Sequence, residues 1–232
     1  MKNHSKRALV RAARKALRDL ADPVKAPIMQ AYMKSAMPYL GIQATPLRKA
    51  AKAVFSAQKL ESFEEWRDTV LELWRGARYR EERYLAIELA GYSEYRKFRM
   101  LDALPMYEEM ITSGAWWDYV DSIAGHRIGE LLRLHPAKMS KVMRAWATSD
   151  DMWKRRSAIL AQLSFKSDTD LDLLYDCIRP SIGEKEFFLR KAIGWALRQL
   201  AKTDAKEVRR FVAEHDGRLS PLSKREALKN LI

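Results

Sequence analysis

A small residue followed by an apolar one recurs along this chain at nearly constant intervals. The pairs Ala50-Ala51, Ala86-Ile87, Ser122-Ile123, Ala158-Ile159, Ala192-Ile193 and Ala227-Leu228 are separated by steps of 36, 36, 36, 34 and 35 residues. One such pair says nothing in an alanine-rich helical sequence, but six near a single period constrain the fold. A period of this length holds two helices and their turns. Such a unit cannot bury its apolar face alone, so the units must stack. The expected architecture is all-α: a curved α-solenoid of about six two-helix repeats, forming one domain over residues 1–232. A generic helical bundle is the alternative.

The punctuation of the chain agrees with a helical array. Glycine and proline number only 9 and 8, and no segment shows β-alternation. Leu9, Val10, Ala13, Leu17 and Leu20 mark an amphipathic helix with a basic face over residues 5–21, ended at Asp22-Pro23. A second helix covers 24–37 and stops at Pro38. Thr45-Pro46 then opens a helix over 45–57, with Thr45 as N-cap. Further helices are expected over 63–74, 79–92, 98–112, 115–134, 137–147, 152–165, 171–177, 185–201, 205–214 and 223–232.

Charge and cysteine content narrow the chemistry. Lys and Arg total 43 against 30 Asp and Glu, a formal charge of +13. That surplus favours a polyanionic partner, either nucleic acid or an anionic membrane surface. Cys177 is the single cysteine, so no internal disulfide and no Cys-x-x-Cys metal site exist. His4, His126, His135 and His215 show no metal spacing, so no metal is expected. Residues 1–18 lack the apolar segment of a signal peptide, and no run is long enough to span a bilayer. A cytoplasmic protein without cofactor is expected, and no oligomer interface is legible, so a monomer is expected.

Within the repeat register one stretch stands out. Trp116-Trp117-Asp118-Tyr119-Val120-Asp121 places two indoles and two carboxylates together in a basic chain. Counting from the small residue of each pair, Trp117, Trp153 and Phe187 share position −5; Asp121, Ser157 and Lys191 share −1; Gly125, Ala161 and Trp195 share +3. On a straight helix these positions form one stripe. Arg156, Arg190 and Arg225 stand beside it at −2. Because the second helix of each repeat lines the inner wall of a solenoid, a basic concave face is expected from Trp117, Asp121, Arg156, Arg190, Lys191 and Trp195, padded by Gly125, Ser157 and Ala161. Arg and Lys suit phosphate, and indoles suit stacking. A carboxylate there repels a phosphate backbone, so it implies positive charge to meet. Trp153 and Phe187 are expected in the core between repeats, as are Trp66, Trp74 and Trp146.

Several stretches carry a resemblance. They are Ala31-Tyr32-Met33-Lys34, Leu40-Gly41-Ile42-Gln43, Trp116 to Ile123, Arg156-Ser157-Ala158-Ile159-Leu160, Lys185-Glu186-Phe187-Phe188, Lys191-Ala192-Ile193-Gly194-Trp195 and Pro221 to Ala227. In these the chain resembles the AlkD-like bacterial DNA alkylation-repair glycosylases, which are built from HEAT-like repeats. The resemblance runs from about residue 24 to 230. It implies excision of purines alkylated at N3 or N7 from double-stranded DNA, without metal, in a nucleoid-associated protein. Asp121 would be the catalytic carboxylate, Trp117 and Trp195 the walls of the cleft, Arg156 a phosphate contact, and Tyr32 and Gln43 nucleotide contacts. Periodicity alone gives Tyr32 and Gln43 no role. Arg190 stands where a neutral residue is common in the family. A non-catalytic DNA-structure-binding paralogue and a HEAT-type protein scaffold are the competing expectations.

Overall fold

The computed structural model describes residues 2–231, with side chains from Lys6 onward. Every regular element among them is helical, and none is a strand. Two compact units are present, one ending at Met106 and the other starting at Tyr107.

The first unit contains α1 (Lys2–Asp19), α2 (Lys25–Tyr32), α3 (Ala44–Ala57), α4 (Phe63–Arg75) and α5 (Arg80–Ala90). The amphipathic pattern of α1 does what its spacing demands. Leu9, Val10, Ala13 and Leu17 are buried, and the helix packs on α3, α4 and α5. Trp66 and Trp74 of α4 are fully enclosed. Ser62 caps α4 by accepting from the Glu65 amide at 3.2 Å. The loop before α3 is organised around a buried acid. Glu81 of α5 accepts from the amides of Leu40, Gly41 and Ile42 at 2.9–3.0 Å. Gly41 is required there, because its φ is +86° and a Cβ would lie 2.1 Å from the Asp22 carbonyl.

The division between the units falls within α6 (Leu104–Gly114), and α7 (Trp117–Ser122) follows it. A π-helical segment (Ile123–Ile128) leads into α8 (Gly129–Leu134) and α9 (Pro136–Ala147). Then come α10 (Met152–Leu160), α11 (Leu171–Ile178), α12 (Phe187–Leu200), α13 (Ala205–Glu214) and α14 (Pro221–Leu228). Helices one repeat apart pack side by side: α7 on α10, α10 on α12, α12 on α14, and α9 on α11. Side-chain bonds between them span close to one period. Arg144 bonds Asp176 32 residues away, Tyr175 bonds Glu207 32 away, and Lys191 bonds Glu226 35 away. The α12–α14 approach depends on Gly194, where a Cβ would fall 2.5 Å from the Glu226 Cβ.

Several boundaries differ from the sequence reading. The helix expected to stop at Pro38 ends at Tyr32, because Lys34 turns to a φ of +49°. Gln43, not Thr45, is the N-cap of α3. The stretch expected as helix from 98 includes a 3-10 turn, Leu101–Ala103, before α6 begins. The expected helix over 152–165 ends at Leu160. The last helix ends at Leu228, and Ile232 lies outside the described residues.

Candidate functional site

The backbone turns abruptly just before the Trp-Trp-Asp stretch. The left-handed residue is Ala115, at φ +43°, rather than Gly114, which remains in α6. Trp116 is extended and serves as N-cap, so Trp117 opens α7 and Asp121 follows one turn later. The chain then winds wider. In the π-helical turn each amide reaches back five residues instead of four, which adds a residue to the turn and breaks the 3.6 register. Gly125 therefore does not continue the open stripe. It is buried, and a Cβ there would touch Leu163 at 3.6 Å. Gly129 accommodates the wider winding: a Cβ at this position would be 2.6 Å from the Ala161 carbonyl.

Asp121 is fixed by the next repeat. Arg156 of α10 donates from Nε to Oδ1 at 2.7 Å and from Nη2 to Oδ2 at 2.8 Å. Its Nη1 donates to the Phe188 carbonyl. This is the planar fork matched to a carboxylate. The pair is deep, with 5% of the Arg156 side chain and 13% of the Asp121 side chain exposed. Burial pushes the Asp121 carboxyl above the usual carboxylate range; Arg156 opposes that rise, and Asp118 adds to it. Below the pair lies an aromatic floor. Phe188 sits 5.1 Å from Trp153 and 5.5 Å from Trp116, centre to centre, and the Arg156 guanidinium lies 5.9 Å from the Phe188 ring centre.

Asp121 and Arg156 are thus joined directly. Trp117 and Trp195 are half-buried and form no aromatic contact among the described residues. Arg190 donates to the Lys185 carbonyl, and Lys191 reaches Glu226 at 3.0 Å. Lys191 is the first cause holding the Glu226 carboxyl below its ordinary range. Arg156 is turned inward onto Asp121, where the sequence reading had it meeting phosphate. The expected padding is core: Ser157 and Ala161 are fully buried. Trp153 packs as expected, but Phe187, at the first position of α12, is 54% exposed. Its neighbour Phe188 occupies the inner place. Sequence reasoning missed Phe188, although the adjacent Phe pair was the available signal. In the first unit, Tyr32 closes α2 at 77% exposure, and Gln43 is exposed at the start of α3 with no side-chain bond among the described residues.

No cluster of three metal-ligating side chains occurs among the described residues. No helix among them is long and apolar enough to cross a membrane.

A family model described as DNA alkylation repair enzyme matches residues 13–231. No curated protein matches the chain. Among solved structures, one described as a predicted DNA alkylation repair enzyme from Enterococcus faecalis is 30% identical, with a TM-score of 0.77, over 91% of this chain and 96% of that one. A second, smu.31 from Streptococcus mutans UA159, is 16% identical with a TM-score of 0.59, over 79% of this chain and 90% of that one, and supports the fold alone.

Proposed function

Because this chain belongs to the DNA alkylation repair enzyme family, we propose that it is a DNA glycosylase acting on purines made cationic by an alkyl group at N3 or N7 in duplex DNA. The carrying observation is the recessed Asp121 carboxylate, clamped through both oxygens by Arg156.

The chemistry needs little more than such a group. A cationic purine leaves with the electron pair of its glycosidic bond and departs neutral, so no acid has to protonate it. Positive charge then grows on the deoxyribose. A fixed, poorly hydrated carboxylate stabilises that oxocarbenium-like state more strongly than a solvated one. Water oriented by Asp121 then adds to the sugar carbon and loses its proton to solvent, leaving a neutral sugar hydroxyl. Arg156 positions Asp121 by occupying one direction on each oxygen, leaving the others for substrate. Trp117 and Trp195 are assigned as walls, offering indole faces to a cation. Tyr32 and Gln43 are assigned as nucleotide contacts, and Arg190 and Lys191 as phosphate contacts. The reaction calls for neither metal nor cofactor, and a monomer suffices.

The test compares wild type with Asp121→Asn on N-methylated duplex DNA. Wild type should release 7-methylguanine, and the variant should lose about 100-fold or more of the rate while still binding DNA. Equal release by both would remove Asp121 from the mechanism. Binding without release by the wild type would favour a non-catalytic DNA-binding role.

A further inference from the structure

The first unit contains a cleft of about 580 Å³ between the C-terminal half of α1 and the loop joining α4 to α5. Arg14, Arg18, Arg75 and Arg78 line it, with Glu72 and Glu82 the acids. Both acids are already engaged. Glu72 pairs with Lys6 at 3.2 Å, and Glu82 accepts from Arg14 Nε and from the Arg78 amide, each at 3.2 Å. The positive charge of the cleft is therefore in excess.

Arg14 is pre-set. Its Nη2 donates to the Gly76 carbonyl at 2.8 Å, and a Cβ at 76 would come within 2.8 Å of that same nitrogen and 2.9 Å of the Glu72 carbonyl oxygen. These two bonds use two of the five guanidinium N–H groups and leave Nη1 open. Arg18, one helical turn on, and Arg78 have no side-chain bond among the described residues, and both are exposed. Tyr79 adds an aromatic ring to the lining. Three arginines with open donors around one cavity match the oxygens of a phosphate group, and the ring can meet a base or sugar attached to it.

We propose that this cleft is a phosphate-binding site, separate from Asp121, that takes the phosphate of a nucleotide unit. The ligand is either a free phosphate compound or part of a nucleic-acid strand. The proposal does not depend on base-release activity, and its test reads binding only.

The experiment is calorimetric titration of the full chain at fixed ionic strength, with inorganic phosphate and with an unmodified DNA duplex. It uses wild type, the double variant Arg18→Gln/Arg78→Gln, and the control Arg7→Gln/Arg11→Gln. The control removes equal charge from exposed positions of α1 that do not line the cleft. The cleft variant should weaken binding at least tenfold relative to the control, with an unchanged helical circular dichroism spectrum. A loss with phosphate alone identifies a free phosphate compound. A loss with duplex, accompanied by a salt slope shallower by about two, identifies a strand. Absence of saturable binding to either ligand in wild type, or equal affinities in both variants, would overturn the site.

Discussion

The Arg156–Asp121 pair should act as an energetic unit, and a double-mutant cycle can weigh it. Arg156→Met leaves a recessed carboxylate without its counter-charge and removes the Arg156 bond to the Phe188 carbonyl. Two charge-assisted bonds, at 2.7 and 2.8 Å, are lost. Each is worth about 1.5–3 kcal/mol. Breaking one side of a buried pair costs about 3–5 kcal/mol, and the 13% exposure left to Asp121 argues for the lower half of that range. At about 2–4 °C per kcal/mol for a chain of this size, the melting point should fall by about 6–16 °C. In an Asp121→Leu background the same Arg156→Met change removes a buried cation that has lost its counter-charge and should be neutral or stabilising. Urea unfolding of the four proteins, followed by circular dichroism, should therefore give a coupling energy of at least about 3 kcal/mol. A coupling below about 1 kcal/mol is what a solvated surface pair gives, and it would refute the account of Asp121 as a recessed, clamped carboxylate.

Four further outcomes follow from particular contacts in the structure. Since burial raises the Asp121 pKa and the ionised form is the working one, base release should climb with pH through a midpoint above 3.8, and a midpoint at or below that value would contradict the burial argument. The Glu207 carboxyl is held down to about 2, first by Arg210 and then by Tyr175. A depressed carboxylate stabilises the fold above its ordinary value of 4.5 and loses that contribution as pH falls towards 2, so Glu207→Gln should flatten the acid side of a melting-point profile. Gly194→Ala should cost about 1–3 kcal/mol by forcing α12 off α14. Gly183→Ala, where no atom lies within 4 Å of the added carbon, should change stability by less than about 0.5 kcal/mol in a denaturant titration.

The helices were legible because their signals are local: apolar spacing, breakers and a repeated small-apolar pair act within a few residues. α4, α9 and α13 fall within one or two residues of the expected bounds. What could not be read is how one repeat answers the next. The register put Asp121 at −1 and Arg156 at −2, which as columns looked like two surface groups offered to one ligand. Column logic says which positions become neighbours, but not whether neighbours satisfy each other before any ligand arrives. That depends on depth, and two features here depart from the straight-helix register. The π-helical turn shifts everything after Ile123 off the straight-helix stripe, and the exchange of Phe188 for Phe187 turns an expected buried ring outward. Once Asp121 is recessed, the pairing follows: a carboxylate at that depth needs a counter-charge and directed donors, and Arg156, 35 residues on, supplies both. The same logic accounts for Lys191, whose partner Glu226 is also 35 residues on. A strip of alternating charges at one-repeat offset is thus better read as a seam between repeats, and a group proposed to face substrate along such a seam must do so through whatever valence the seam leaves open.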